Sequence, residues 1–203
     1  MERHRSSSAT QRGTANQRGI ATRRITGIIF LLALALAAAS SAQLVPITGV
    51  PYPLPVPYSP LKQSGFEIPD QGTGPGAYAY LPSGSAWTFA GNTGLAGNGS
   101  EFTQENPPAP QGDQVLFVQG GSGSVVSQSF AVSAGRYRFS MRAAQRIHAG
   151  NTNDQTISVR VDGSEIDQIR PADGTYAAFA THSFVIGLGF HTVELVGLNP
   201  QGG

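Results

Sequence analysis

The 203-residue chain has no cysteine, and tryptophan, lysine and charge are scarce in it. The absence of cysteine excludes disulfides, cysteine-ligated zinc and thiol nucleophiles. Charged residues make up 12% of the chain, about half the usual ~25%. After residue 42, seven basic and eleven acidic side chains remain, a formal net charge of −4, with Lys62 as the one lysine. This balance indicates no phosphate-binding surface, so nucleic acid is not an expected partner.

The N-terminal segment has the three parts of an export signal. The Arg23-Arg24 pair precedes an uninterrupted apolar core from Gly27 to Ala39, and small residues, Ser40 and Ala42, follow it. A retained membrane anchor is the alternative, but this core is shorter than the roughly 20 residues that a span needs. We therefore predict a signal peptide over residues 1–42, cleavage before Gln43, and no membrane span after its removal. Export without cysteine indicates a secreted or cell-surface bacterial protein.

Proline dominates the segment that follows. Residues 43–64 contain six prolines, at positions 46, 51, 53, 55, 57 and 60. Because proline fixes φ and lacks an N–H donor, the pattern predicts an extended, polyproline-like spacer. A ligand for a proline-binding module is the alternative interpretation.

Residues 65–203 carry the signals of a single β domain. In residues 135–146, Tyr137, Phe139, Met141 and Ala143 alternate with polar side chains, which is typical of a half-buried strand. Ile157, Val159 and Val161 alternate in the same way before Asp162-Gly163, a favoured two-residue hairpin turn. Further strands are predicted at 114–119, 124–132, 178–186 and 190–198. Short strands without crossover helices predict an all-β, antiparallel two-sheet sandwich.

Several short sequence segments in this domain occur together in a characteristic order and spacing. They are GFEIP (65–69), AYAYLPSGSAWTFAGNTGLAGNGSEF (77–102), PQGDQVLFVQG (110–120), SQSFAVSAGRYRFSMRAAQR (127–146), ISVRVDG (157–163) and GFHTVELVGLNPQGG (189–203). The pattern resembles the galactose-binding-like jelly-roll modules of bacterial secreted and surface proteins. The resemblance implies a jelly-roll β-sandwich, a carbohydrate or cell-wall glycan as partner, and often a structural calcium ion.

Two further expectations follow from this resemblance. Glu67 and Asp70 are similar in position to oxygen ligands of calcium in such modules, although calcium takes 6 to 8 oxygens. The modules also run one further strand after the position where this sequence ends in Gly202-Gly203. That difference predicts a C-terminally truncated chain with exposed sheet edges, self-association and no tight calcium binding.

Aromatic residues supply the first candidate ligand contacts. Sugar rings stack their C–H faces on aromatic side chains, which makes Tyr78, Tyr80 and Trp87 candidates. Trp87 has a competing interpretation, because with Phe89 it would form the inner face of a strand. Tyr78 and Tyr80 lie in a stretch rich in glycine and proline and are predicted to be in a loop.

A polar stretch supplies the second set of candidates. Amides, a carboxylate and a guanidinium together match vicinal hydroxyl groups, and they occur here within ten residues: Gln145, Arg146, Asn151, Asn153 and Asp154. An ordinary solvated loop, with Arg146 paired to a carboxylate such as Glu67, is the alternative.

An arginine stripe is the third candidate feature. Arg136, Arg138, Arg142 and Arg146 share one face of the predicted strand. They could bind an acidic polysaccharide. Cross-strand pairs with acidic side chains are the favoured explanation, because the chain after residue 42 is net acidic.

The sequence gives no pattern for catalysis. It contains no GxSxG, HExxH or phosphate-binding loop, so no catalytic residue is assigned. We predict a secreted, noncatalytic carbohydrate-binding module. A structural or adhesive surface domain without sugar binding is the alternative.

Overall fold

The computed structural model describes residues 43–46, 60–121, 123–147 and 155–199. Within these ranges the chain forms twelve β-strands and no helix. The strands are β1 (Gln43–Pro46), β2 (Tyr78–Tyr80), β3 (Thr88–Ala90), β4 (Thr93–Gly97), β5 (Gln114–Val118), β6 (Val125–Val132), β7 (Gly135–Ala143), β8 (Ile157–Val161), β9 (Ser164–Ile169), β10 (Ala177–Ala180), β11 (Phe184–Ile186) and β12 (Gly189–Gly197).

The first layer of the fold is a five-stranded antiparallel sheet. Its strand order is β3-β6-β12-β8-β9, with β12 between β6 and β8. Alternate residues of these strands point inward, which is the two-residue period of an extended chain. The buried inner face consists of Val126, Phe130, Val159, Val161, Val193 and Leu195.

The opposite layer is built around β7. Strand β1 pairs with one edge of β7, and β10 and β11 pair in succession with the other edge. Tyr137 and Phe139 point from β7 into the core, and Phe139 has no solvent exposure. Met141 is half-buried and packs against the same core. The predicted all-β class and antiparallel sandwich are confirmed.

A smaller sheet completes the second layer beside β7. Strands β2, β4 and β5 form a three-stranded antiparallel sheet with β4 in the centre. Leu116 and Val118 of β5 pack against the main core. The central strand contains Gly94, where an added Cβ would lie 2.0 Å from the Ala79 carbonyl oxygen. Glycine therefore lets β2 approach β4 closely at this point.

The predicted hairpin at Asp162-Gly163 is confirmed. Strands β8 and β9 pair on either side of these two residues, whose φ values are +51° and +76°. Asp162 and Gly163 both accept this left-handed backbone at low cost, which explains the choice of residues.

Parts of the proline-rich segment belong to the sandwich. Gln43–Pro46 form β1 and pair with residues 137–140 of β7. Leu61 is 6% exposed and joins the core, so the packed domain extends N-terminally beyond the predicted start at Gly65. The signal-peptide prediction for residues 1–42, residues 47–59 of the predicted spacer, and residues 200–203 lie outside the described residues. Within the described ranges there is no helix long and apolar enough to cross a bilayer.

Candidate functional site

A groove lies where the second layer of the sandwich is interrupted. Strand β5 lines one side of the groove, and the C-terminal half of β7 lines the other. The two strands belong to different sheets and do not pair with each other. Ile157 and Leu195 of the five-stranded sheet contribute to the lining, so the groove reaches the core. Its cavity volume is about 130 Å³, below the roughly 300–1,000 Å³ of pockets for drug-sized ligands. This size suits one small ring.

Four aromatic residues from three segments form a cluster at the β5 side of the groove. Phe102 and Phe117 line the groove and stack with ring centroids 4.1 Å apart. Tyr80 packs edge-on against Phe117 at 5.0 Å, and Tyr78 packs edge-on against Phe102 at 5.0 Å. Tyr80 is 44% exposed, so the cluster presents an aromatic surface to solvent.

The position of the Tyr80 ring is fixed by a polar contact. Its hydroxyl donates to Oε1 of Gln119 over 2.8 Å. Burial raises the pKa of Tyr80, and the Arg146 charge acts in the opposite direction. The phenol therefore stays protonated at neutral pH and holds the Gln119 amide in place at the groove.

Arg146 packs against the aromatic cluster at Phe102. Its guanidinium carbon lies 4.5 Å from the Phe102 ring centroid, a cation–π contact. One terminal nitrogen donates to the Glu101 carbonyl over 3.1 Å. The Gln155 side chain bonds both the N–H and the C=O of Arg146, which holds its backbone. The buried Nε of Arg146 has no hydrogen-bond partner among the described residues.

The β7 side of the groove adds a second arginine and a tyrosine. Nη1 of Arg142 donates to the Tyr176 carbonyl over 3.1 Å. Burial raises the pKa of Tyr176 to about 12. The described lining thus carries two guanidinium groups, several amides and aromatic rings, and no carboxylate.

The structure separates the predicted ligand contacts. Tyr78 and Tyr80 lie in β2 and belong to the aromatic cluster, although the sequence predicts a loop there. Arg146 lies at the same place and contacts Phe102, whereas Glu67 accepts a hydrogen bond from the Asp113 N–H. The remaining candidates of the polar stretch, Asn151, Asn153 and Asp154, lie outside the described residues.

Trp87 and Gln145 have structural roles. Trp87 is 3% exposed and its indole N–H donates to the Gln63 carbonyl, so it is a core residue and cannot serve as a sugar platform. Gln145 is also buried, and its amide donates to the Pro171 carbonyl over 2.8 Å. Gln145 lines the groove but mainly fixes the chain that follows β7.

Two carboxylates near the start of the domain, Glu67 and Asp70, are the predicted calcium ligands. Asp70 accepts a hydrogen bond from the Gly72 N–H within its own turn. Glu67 has one buried carboxylate oxygen without a partner, and burial raises the pKa of this group. No cluster of three or more His, Cys, Asp or Glu side chains in the described part of the chain could hold a metal ion. Glu67 and Asp70 therefore do not by themselves form a calcium site, and calcium binding stays a prediction.

Two members of the arginine stripe have neutral partners among the described residues. Arg136 donates to the Ser183 hydroxyl and Arg142 to a backbone carbonyl. These partners are neutral oxygens rather than the acidic side chains that cross-strand pairing predicts.

The sequence did not reveal the residues that complete the aromatic cluster. Phe102 follows β4 in an irregular turn, and Phe117 lies in β5. One signal is present in β5 itself, because the run QVLFV is apolar on both faces. A strand of this kind needs cover on both faces, and here one face meets the core while Phe117 faces the cluster.

The structure is similar to two solved carbohydrate-binding modules. One is a family 35 carbohydrate binding module from Clostridium thermocellum, with 20% identity, a TM-score of 0.41 and coverage of 57% of this chain and 83% of that one. The other is CBM35 from Cellvibrio japonicus Abf62, with 21% identity, a TM-score of 0.31 and coverage of 60% and 75%. No family model and no curated protein matches the sequence.

Proposed function

We propose that the groove between β5 and β7, together with the adjoining exposed surface of Tyr80, binds a carbohydrate and that the protein is a noncatalytic binding module. The observation that carries this proposal is the exposed aromatic surface of Tyr80 beside the Gln119 amide and the Arg146 guanidinium. A sugar ring has an apolar C–H face for the aromatic surface and hydroxyl groups for amide and guanidinium donors.

The fixed positions of these groups support binding at low entropic cost. Tyr80 and Gln119 hold each other by a hydrogen bond, and Arg146 is held by its stacking on Phe102 and by the Gln155 side chain. Side chains that are ordered before binding lose little freedom when the ligand arrives.

The same proposal includes export. The Arg23-Arg24 pair, the apolar core and the small residues Ser40 and Ala42 favour secretion or surface display in a bacterium. A module outside the cell would meet polysaccharides or cell-wall glycans there.

A glycan array tests the proposal directly. We expect the chain to bind a restricted set of glycans. Tyr80→Ala should weaken that binding at least about fivefold, if a sugar ring stacked on one aromatic contributes as much as a stacked nucleobase, on the order of 1–3 kcal/mol. Gln168→Ala, an exposed amide on β9, is the matched control and leaves binding unchanged. Silence across plant, bacterial and host glycans by the folded protein would refute the proposal and favour the structural or adhesive alternative.

A further inference from the structure

An exposed apolar surface lies at the connection from β11 to β12. Val185, Leu188 and Phe190 are 73%, 81% and 86% exposed. Leu188 and Phe190 also line a second, open groove with Pro60 and Tyr137. We refer to Val185, Leu188 and Phe190 as the apolar tip. Large apolar side chains this exposed within six residues indicate contact with another apolar phase.

A basic surface adjoins the apolar tip. Arg136 and Val185 are direct cross-strand partners in β7 and β11, so their side chains lie side by side on the outer face. Arg138 lies on the same face of β7 and is exposed, as Arg136 is. Val185, the first residue of the apolar tip, therefore lies beside the exposed Arg136, and Arg138 is exposed on the same face of β7.

The charge of this face contrasts with the rest of the domain. Strands β1, β7, β10 and β11 contain three arginines and no acidic residue, whereas the sequence after residue 42 has a net charge of −4. One carboxylate, Asp167 of β9, does contact this sheet. It accepts hydrogen bonds from His182, which lies in the connection between β10 and β11. Asp162 lies beside the β11–β12 connection and is bonded to His191. The outer face around Arg136 and Arg138 is thus basic.

We propose that the apolar tip and the two arginines dock on an anionic lipid surface. A membrane interface is the partner that fits both halves, because its acyl boundary accepts apolar side chains and its anionic headgroups attract arginine. A soluble acidic polymer would use Arg136 and Arg138 but gives no role to Leu188 and Phe190. This lipid-docking surface is separate from the carbohydrate groove, which is formed by the aromatic cluster and the end of β7.

Vesicle co-sedimentation of the chain recovered from culture medium tests this proposal. The probes are vesicles of pure phosphatidylcholine and vesicles containing 30% phosphatidylglycerol, a composition of about one anionic lipid in three. We expect binding to the anionic vesicles and about fivefold loss for each of Arg136→Gln and Arg138→Gln, since one arginine near a charged bilayer is worth on the order of 1 kcal/mol. Leu188→Ser with Phe190→Ser should reduce binding at least tenfold.

Matched controls separate the surface from general effects. Arg160→Gln changes one arginine on the five-stranded sheet, and Leu81→Ser changes an apolar side chain that is 53% exposed at the end of β2. Both should bind as the unchanged chain does, and all variants should melt at the same temperature because the substituted side chains are exposed or half-buried.

Three results would overturn the proposal. Equal binding by the tip variants and the unchanged chain would show that the apolar tip is not the contact. Tight binding of dextran sulfate that survives Leu188→Ser with Phe190→Ser, without vesicle binding, would assign the face to an acidic polymer. A dimer in sedimentation equilibrium that Phe190→Ser abolishes, again without vesicle binding, would assign it to a second copy of the chain.

Discussion

The Gln128 side chain forms two reciprocal hydrogen bonds with the Lys62 backbone, in the pattern found between paired residues of neighbouring β-strands. The Lys62 N–H donates to Oε1 of Gln128 over 2.7 Å, and Nε2 of Gln128 donates back to the Lys62 carbonyl over 2.9 Å. A third bond joins the same Nε2 to the Ala86 carbonyl at 3.2 Å. One buried amide of β6 therefore attaches two separate segments, around residues 62 and 86, to the five-stranded sheet.

Gln128→Ala should accordingly destabilise the fold. The substitution removes the partner of three part-buried backbone groups, each of which would cost about 1–3 kcal/mol if it were fully buried. We expect a loss of about 2–4 kcal/mol in the free energy of unfolding, measured by urea denaturation. Gln168→Ala removes an exposed amide and should change it by less than about 0.5 kcal/mol. Equal effects of the two variants would contradict this interpretation of Gln128.

Gly94→Ala tests the close approach of β2 and β4. An added methyl group would lie 2.0 Å from the Ala79 oxygen and 2.6 Å from Cζ of Phe117. Overpacking of this kind costs about 1–3 kcal/mol and displaces neighbouring groups. We expect a lower melting temperature together with weaker glycan binding, because Phe117 belongs to the aromatic cluster. Gly76→Ala, where a Cβ meets nothing within 4 Å, is the control. Unchanged stability of the Gly94 variant would show that β2 can shift freely.

The contact between Asp162 and His191 predicts a pH dependence. Nδ1 of His191 lies 2.7 Å from Oδ2 of Asp162, and this hydrogen bond, with a second from the Thr192 N–H, holds the pKa of Asp162 below its ordinary value of 3.8. A carboxyl whose pKa is lower in the folded state stabilises the fold above about pH 4. That contribution is lost as the pH falls through the folded pKa.

Its size is modest because the Asp162 side chain is 51% exposed. We expect at most about 1 kcal/mol, as for other exposed pairs. Asp162→Asn should flatten part of the stability profile between pH 2 and 5, measured by chemical denaturation at each pH. An unchanged slope in the Asp162 variant would show that other carboxyl groups account for the acid sensitivity.

The predicted export signal is tested at its cleavage site. N-terminal sequencing of secreted protein should begin at Gln43, the first residue of β1. Ala42→Leu should leave residues 1–42 attached, because the cleavage enzyme accepts small side chains at this position. Ala39→Leu, within the apolar core, should be processed normally. An intact arginine-rich N-terminus on all of the protein, found in membranes, would refute the prediction.

The elements predicted correctly are those that carry their own local pattern. Tyr137 and Phe139 alternate with arginines along β7, and Asp162-Gly163 is a turn whose conformation its residues favour. By contrast, β2 has three residues between glycine- and proline-rich stretches, too short for a recognisable period. It is stabilised by pairing with β4 rather than by its own propensity.

In the candidate site, too, local sequence features could be predicted, whereas contacts between distant segments could not. Arg146 and Tyr80 could be chosen from residue type, but nothing local brings them together. Their common neighbour is Phe102, which comes from another segment and stacks on Phe117 of β5. The contact exists because β5 and the end of β7 face each other across the groove. The burial of Trp87 likewise depends on Gln63 and Phe66, which lie more than twenty residues earlier.

The gap between β5 and β7 links ligand occupancy to folding. Leu195 is 1% exposed and packs in the main core, yet it also contributes to the lining of the groove. A ligand seated there would fill the missing part of the second layer and would bind the folded chain but not the unfolded one. At a hundred times its dissociation constant, such a ligand adds about 2.7 kcal/mol to the free energy of unfolding. Substitutions along β5 and the end of β7 would then alter heat resistance and affinity together.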